Sequence, residues 1–238
     1  MTKYLVALDD GHGMQTAGKR TPPIPELNNR VIHENEFNRA VVNYLSEELK
    51  RCGISTILVA PTDADSSLSA RTNVANSKKV DLYISIHYNA FDGSFGGKDP
   101  SGLSVHYYPG SVKSKKLAEC VHKYLKQGTK QIDRGIVGSN FHVLRETKMP
   151  AILSENGFMD NKREAMLMID EDFRKEVARE HAKGICEYLG VKYIDEKKES
   201  EEVVYKVQVG AYSNQDNANK VRERLKLLGY NAIVVASK

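Results

Sequence analysis

Two histidines and two glutamates stand at or just beyond strand-like segments, and their types are those of a hydrolytic metal centre. His12 follows the apolar residues 4–8 within Asp-Asp-Gly-His-Gly, and His87 closes residues 81–86 within Ile-Ser-Ile-His-Tyr-Asn. Glu155 follows residues 151–153 in Pro-Ala-Ile-Leu-Ser-Glu-Asn-Gly-Phe, and Glu34 precedes an apolar helical pattern that begins near Phe37. In an open α/β sheet the carboxyl ends of the strands share one edge, where ligands bind, so residues distant in sequence can meet there. Two imidazoles and one carboxylate are a typical protein ligand set for catalytic zinc, with the fourth position left to water; a further carboxylate can take that water's proton. Gly11 and Gly13 let the backbone turn sharply around His12. A single loop histidine is more often a hydrogen-bonded residue than a ligand. A second imidazole emerging from the tip of an apolar strand is harder to attribute to packing.

The elements that must position these groups are readable from periodicity. Phe37, Val41, Leu45 and Leu49 recur at helical spacing across residues 35–52, and Gly53 stops the pattern. Residues 4–8, 54–59, 81–86 and 102–108 read as strands, as do the shorter runs 141–144 and 151–153. Residues 68–77, 111–126 and 162–189 read as helical. Strands alternating with helices predict an α/β fold, a mainly parallel twisted sheet with helices on both faces. After Tyr193 the composition shifts to Asp-Glu-Lys-Lys-Glu-Ser-Glu-Glu, a solvated run of the kind that links domains. Residues 203–211 then alternate like a strand, 215–228 are helical and 230–235 form a last strand. The expected division is a catalytic domain over 1–192, a charged linker over 193–202 and a small C-terminal β-α-β unit over 203–238. That last unit is too short to bury a core by itself.

At 238 residues, 40% hydrophobic and 28% charged, the chain has ordinary globular composition. A net charge of +4 is too weak to argue for nucleic acid, though it suits adsorption to an anionic surface. Cys52, Cys120 and Cys186 are odd in number and widely spaced, which predicts buried thiols instead of a disulfide framework. No apolar run approaches the ~20 residues of a membrane span, and no basic-then-apolar leader opens the chain. Synthesis in the cytoplasm without a signal peptide is therefore expected, an outside target being reached by lysis or another route.

Five motifs occur in a specific order. Asp-x-Gly-His-Gly (Asp9 to Gly13) is followed by Glu-x-x-x-Asn (Glu34, Asn38) and Leu-x-x-Arg-x-x-x-Ala-Asn (Leu68, Arg71, Ala75, Asn76). Ser-Ile-His-Tyr-Asn-Ala (Ser85 to Ala90) and Pro-Ala-Ile-Leu-Ser-Glu-Asn-Gly-Phe-Met-Asp-Asn (Pro150 to Asn161) complete the series. Together they resemble the zinc-dependent N-acetylmuramoyl-L-alanine amidases of the type 3 family over about residues 2–190. The resemblance implies Zn²⁺ held by His12, Glu34 and His87, with Glu155 as the catalytic glutamate. It implies bacterial peptidoglycan as substrate, cut between the lactyl group of N-acetylmuramic acid and L-alanine. Glu26 and Glu36 also follow His12; the spacing of Glu34 to Asn38 and its place at a helix entry favour Glu34. A longer loop between His12 and the glutamate, and Met14 in place of a second glycine, depart from the common family pattern. The segment Val-Tyr-Lys-Val-Gln-Val-Gly-Ala-Tyr (Val204 to Tyr212) with the later Gly229-Tyr230 resembles half of a sporulation-related peptidoglycan-binding repeat. More chain, or self-association of two chains, would complete its sheet.

The remaining histidines and arginines have plainer expected roles. His122 and His181 fall in helical stretches as surface or packing residues, and His106 alternates with apolar residues as a core or groove histidine. His142 and Arg145 precede the Glu155 strand; Arg145 could meet a substrate carboxylate or serve an internal salt bridge. Arg71 is expected to be structural. Residues 91–101, rich in glycine and aspartate, should border the cleft. The resemblance predicts an autolysin of sporulation or a phage endolysin. Two alternatives are a non-catalytic cell-wall binding protein and a zinc peptidase acting on another amide.

Overall fold

The computed structural model describes residues 3–96, 99–196 and 208–236, and the chain divides into two compact units, 1–196 and 197–238. The first unit is built on six strands: β1 (Leu5–Asp9), β2 (Ser55–Leu58), β3 (Leu82–Asn89), β4 (Leu103–Tyr107), β5 (Asp133–Gly138) and β6 (Ala151–Phe158). They lie in the order β2-β1-β3-β6-β4-β5, every pair parallel except β4 with β6. Its helices are α1 (Glu34–Arg51), α2 (Leu68–Lys78), α3 (Val112–Gly128), α4 (His142–Arg145), α5 (Lys162–Leu167) and α6 (Glu171–Leu189).

Alternation along the strands separates two apolar clusters. Val6, Leu8, Leu82, Ile84 and Ile86 meet Phe37, Val41 and Leu45 of α1, Leu117 and Val121 of α3, and Val177 and Ile185 of α6. The intervening Ala7, Tyr83, Ala151 and Leu153 meet Ala75 of α2 with Val143 and Leu144 of α4. The sheet is thus covered on both faces, the condition under which parallel strands become nearly continuous apolar runs. Each such buried aliphatic side chain contributes ~1.5–3 kcal/mol relative to an exposed one. The helix at α1 has its N-terminus set by His33 and Glu36, which form a reciprocal capping box, and the chain leaves it through Gly53 at φ 75°.

Three expectations change. Residues 141–144, expected as a strand, form the single turn α4 because Arg145 N–H and Glu146 N–H close onto the carbonyls of Phe141 and His142 at 3.0 and 2.8 Å. β5 has no counterpart among the expected strands: it is a sheet edge with four of its six residues exposed, glycine at two positions and no alternation to read. In the second unit, α7 (Gln215–Leu227) matches the expected helix, but residues 230–236 form no strand. Among the described residues nothing supplies the ladder they would need. Most of the expected partner strand, 203–207, lies outside the described residues, as does 197–202 of the expected linker. Tyr193 and Ile194 are tied to the first unit, Tyr193 Oη donating to Glu48 Oε2 at 2.6 Å and Ile194 N–H meeting Cys52 Sγ. The three cysteines are buried and unbridged. Among the described residues no helix is long and apolar enough to cross a membrane.

Candidate metal centre

β1 delivers the chain to Gly11, whose φ of 67° turns it toward His12. A Cβ at Gly11 would stand 2.5 Å from His87 Cε1, so glycine is what allows the His87 ring to sit beneath this turn. His12 is held in turn by Asn35, whose Nδ2 donates to the His12 carbonyl at 2.6 Å. Glu34 is the first residue of α1 and fully buried, at the helix end that favours an anion. Its Oε1 accepts from Asn38 Nδ2 at 3.2 Å and from Tyr88 N–H at 3.1 Å, and lies 2.9 Å from His87 Nδ1. Its Oε2 has no hydrogen bond; His12 Nε2 is 3.8 Å away and the Lys19 ammonium 3.6 Å. One donor atom from each of His12, Glu34 and His87 lies within 4.8 Å of the others. The two other acidic candidates are engaged elsewhere, Glu36 in the α1 cap and with Arg30, Glu26 with Lys162.

The donor set has the charge pattern of a cation site. Asp9, fully buried, accepts from Tyr83 Oη and Ser85 Oγ at 2.8 Å each, from Gly11 N–H at 3.1 Å and from Arg71 Nη1 at 3.4 Å. Because Ser85 gives its proton to Asp9, its oxygen is left to accept from His87 Nε2, 3.1 Å away. A neutral His87 then turns the lone pair of Nδ1 toward the Glu34 carboxylate, two acceptors that a positive charge between them would reconcile. Burial alone would lower the His87 pKa, but the Glu34 carboxylate outweighs it and raises it. Glu34 is held below the usual carboxylate range: burial opposes this, and the hydrogen bond and charge of His87 override it. Burial pushes His12 down to about 4, against the pull of Glu34, so its ring is a free neutral donor at pH 7. Zinc takes neutral imidazoles and an ionised carboxylate, and would displace the proton that Glu34 favours on His87; the residues present fit it.

Glu155 sits on β6 directly opposite His87 on β3 and opposite Ser104 on β4. Its Oε2 is buried without a partner. Burial raises its pKa to about 7, with His87 opposing and Glu34 reinforcing the shift. The ends of β3 and β6 are tied together twice. Asn156 Nδ2 donates to the His87 carbonyl at 3.0 Å, and Asp160 Oδ2 accepts the backbone N–H groups of Phe91, Asp92 and Gly93 at 2.6, 2.8 and 3.0 Å.

The sequence reading missed Asp9, Tyr83 and Ser85 as supports of His87, and Lys19 beside Glu34. The alternation of serine with apolar residues before His87 was the available signal. Arg71 is buried against Asp9, and Arg145 is bound by Asn140 and Glu146. His122 pairs with Asp133, His142 is half-buried on α4 with its Nε2 buried and unpartnered, and His33 caps α1. His181 is fully buried between the Val177 carbonyl and Ser154 Oγ. His106 lies part-buried on β4.

Comparison with known proteins agrees with this architecture. The family model described as N-acetylmuramoyl-L-alanine amidase matches residues 6–187, and a SPOR domain model matches residues 174–236, beginning within α6. The sporulation-specific N-acetylmuramoyl-L-alanine amidase of Bacillus subtilis is 31% identical over 97% of this chain and 84% of its own length. The endolysin of Bacillus phage SPP1 is 34% identical over 79% of this chain and 67% of its own. The crystal structure of the N-acetylmuramoyl-L-alanine amidase from Clostridium difficile 630 superposes with a TM-score of 0.71 at 32% identity, covering 80% of this chain and 98% of the other. With most of its first unit matched by that family model and its sheet shared with a solved amidase, the chain belongs to the N-acetylmuramoyl-L-alanine amidase family.

Proposed function

We propose that this peptidoglycan hydrolase cuts the amide between N-acetylmuramic acid and the L-alanine of the stem peptide, using zinc held by His12, Glu34 and His87 and Glu155 as general base. The observation that carries the proposal is the juxtaposition, across the β3–β6 ladder, of a three-donor cluster and a half-buried carboxylate whose inner oxygen has no partner. Zinc bound there supplies Lewis acidity toward the scissile carbonyl and the attacking water. Glu155 takes the proton of that water on a carboxylate oxygen and returns it to the departing L-alanine nitrogen, and burial, which raises its pKa, makes it a better base for the first transfer. Ser85 and Asp9 fix the His87 ring, while Asn38 and Tyr88 N–H hold one oxygen of Glu34 so that the other stays free.

The proposed organisation is a catalytic domain over 1–192, a charged linker over 193–202 and a wall-binding repeat over 203–238. That repeat would complete its sheet by pairing with a second copy. The sporulation amidase and the phage endolysin among its relatives support a role as an autolysin of sporulation or a phage endolysin. The test is digestion of purified walls before and after chelation, with zinc content measured per chain. New L-alanine amino ends without new reducing sugars, about one zinc, and loss and zinc-restored recovery of activity are expected. Hydrolysis that survives full metal removal would overturn the metal assignment.

A further inference from the structure

We propose that the open sheet surface running from Glu155 to the β5 edge, formed by His106, Ser139, Phe141 and Val137, is the subsite that seats the glycan, receiving an N-acetylated sugar ring. The inference rests on the amidase reading above and adds the direction in which the substrate lies.

Register places these residues on the face that carries the chemistry. Ser104 pairs with Glu155 and Glu155 with His87; two positions along β4, His106 pairs with Leu153 on β6 and with Val137 on β5. Paired residues point to the same side of a sheet, as do residues two apart in one strand. The helices α2 and α4 cover this face around Tyr83 and Leu153, but past Leu153 it opens. Val137 is 37% exposed and Phe141 40%, and the His106 ring lies 5.3 Å from that of Phe141 at a tilt of 43°.

The four side chains that form the surface carry no formal charge. His106 Nε2 is 2.9 Å from Ser104 Oγ and Nδ1 2.7 Å from Ser139 Oγ, which fixes the ring and satisfies both nitrogens. Burial, reinforced by His87, keeps the imidazole neutral. Of the arginines flanking this surface in sequence, Arg134 lies over the Phe158 ring at 5.1 Å, and Arg145 is engaged by Asn140 and Glu146. An aromatic platform beside an aliphatic side chain and fixed hydroxyls suits a pyranose, whose C–H face lies on the negative face of an aromatic ring while its hydroxyl and acetamido groups hydrogen-bond. The stem peptide, by contrast, carries carboxylates. Positive charge lies on the other side of the centre, where Lys19, whose ammonium is 3.6 Å from Glu34 Oε2, and the exposed Arg20 follow β1. Since β1 and β5 lie on opposite sides of the β3–β6 pair, the charged and uncharged halves of the substrate have complementary surfaces on opposite sides of the scissile bond.

The test is equilibrium titration of the full chain with two separate probes, peptide-free GlcNAc-MurNAc disaccharide and free stem tetrapeptide. Phe141→Ala should weaken the disaccharide about tenfold, the scale of one lost aromatic contact, and leave the peptide within about twofold; Phe141→Trp should restore the disaccharide. Loss of peptide binding instead, equal loss of both, or no disaccharide binding by the wild type overturns the proposal. Binding is read without turnover. Failure of the amidase reading itself would show separately, as wall digestion by the wild type that frees no L-alanine amino groups.

Discussion

His181 should make the fold sensitive to acid, by an amount that can be worked out. Its ring is fully buried between α6 and β6, Nδ1–H donating to the Val177 carbonyl at 2.7 Å and Nε2 accepting from Ser154 Oγ at 2.9 Å. A second proton would displace the Ser154 donor and place a charge in the core. Burial accordingly pushes the pKa down to about 4, the hydrogen bond to Val177 only partly opposing it. An unfolded histidine titrates near 6.5. Between those values the unfolded chain binds the extra proton and the folded one does not, so stability is whole above pH ~6.5, falls as pH drops toward 4, and is flat below for this group. A shift of ~2.5 units corresponds to roughly 3 kcal/mol at the acid end. Urea unfolding of the wild type and His181→Gln, in chelator at several pH values from 7.5 to 3.5, isolates the effect. His12 and His106, also pushed down to about 4 by burial, add the same slope to both proteins. The variant should start less stable at neutral pH and lose less on acidification. Parallel stability curves for the two would refute the linkage.

Other consequences are directly measurable. Glu155→Gln should keep zinc and lose about 10²–10⁴-fold in wall hydrolysis, whereas His12→Ala should lose both, as read by metal content and release of L-alanine amino groups. Ser85→Ala cuts the link between Asp9 and His87 and should weaken zinc about 10–100-fold in a competition titration while the folded content stays unchanged; unaltered affinity would remove Ser85 from the support of the site. Gly157→Ala would place a Cβ 2.4 Å from the buried Tyr88 ring at a φ of 152°, and should cost at least about 2 kcal/mol in urea unfolding, because the ring has no free space to yield.

What the sequence disclosed follows from how each feature is encoded. β1, β3 and β6 are buried on both faces, so their apolar runs stand out and carry His12, His87 and Glu155 with them. Residues 141–144 are also apolar, but four residues cannot distinguish a strand from a turn of helix; the closure of Glu146 N–H onto His142 decided it. β5 is held by its neighbour β4 alone, and its own side chains carry little of the pattern. Glu34 was legible through its spacing to Asn38, a pair that turns out to be hydrogen-bonded at one helical turn. The support of His87 was not, because Asp9, Tyr83 and Ser85 come from two strands and only the β1–β3 register brings them together.

The clamp at Asp160 bears on how such an enzyme can diversify. By gathering three consecutive amide groups just past β3, it makes the root of the following loop, as far as Gly93, part of the scaffold that carries His87 and Glu155. Insertions and exchanges beyond that point can reshape the wall of the cleft without moving His87 or Glu155. New wall chemistries can then be explored at the rim while the cutting machinery is inherited intact, provided the aspartate stays.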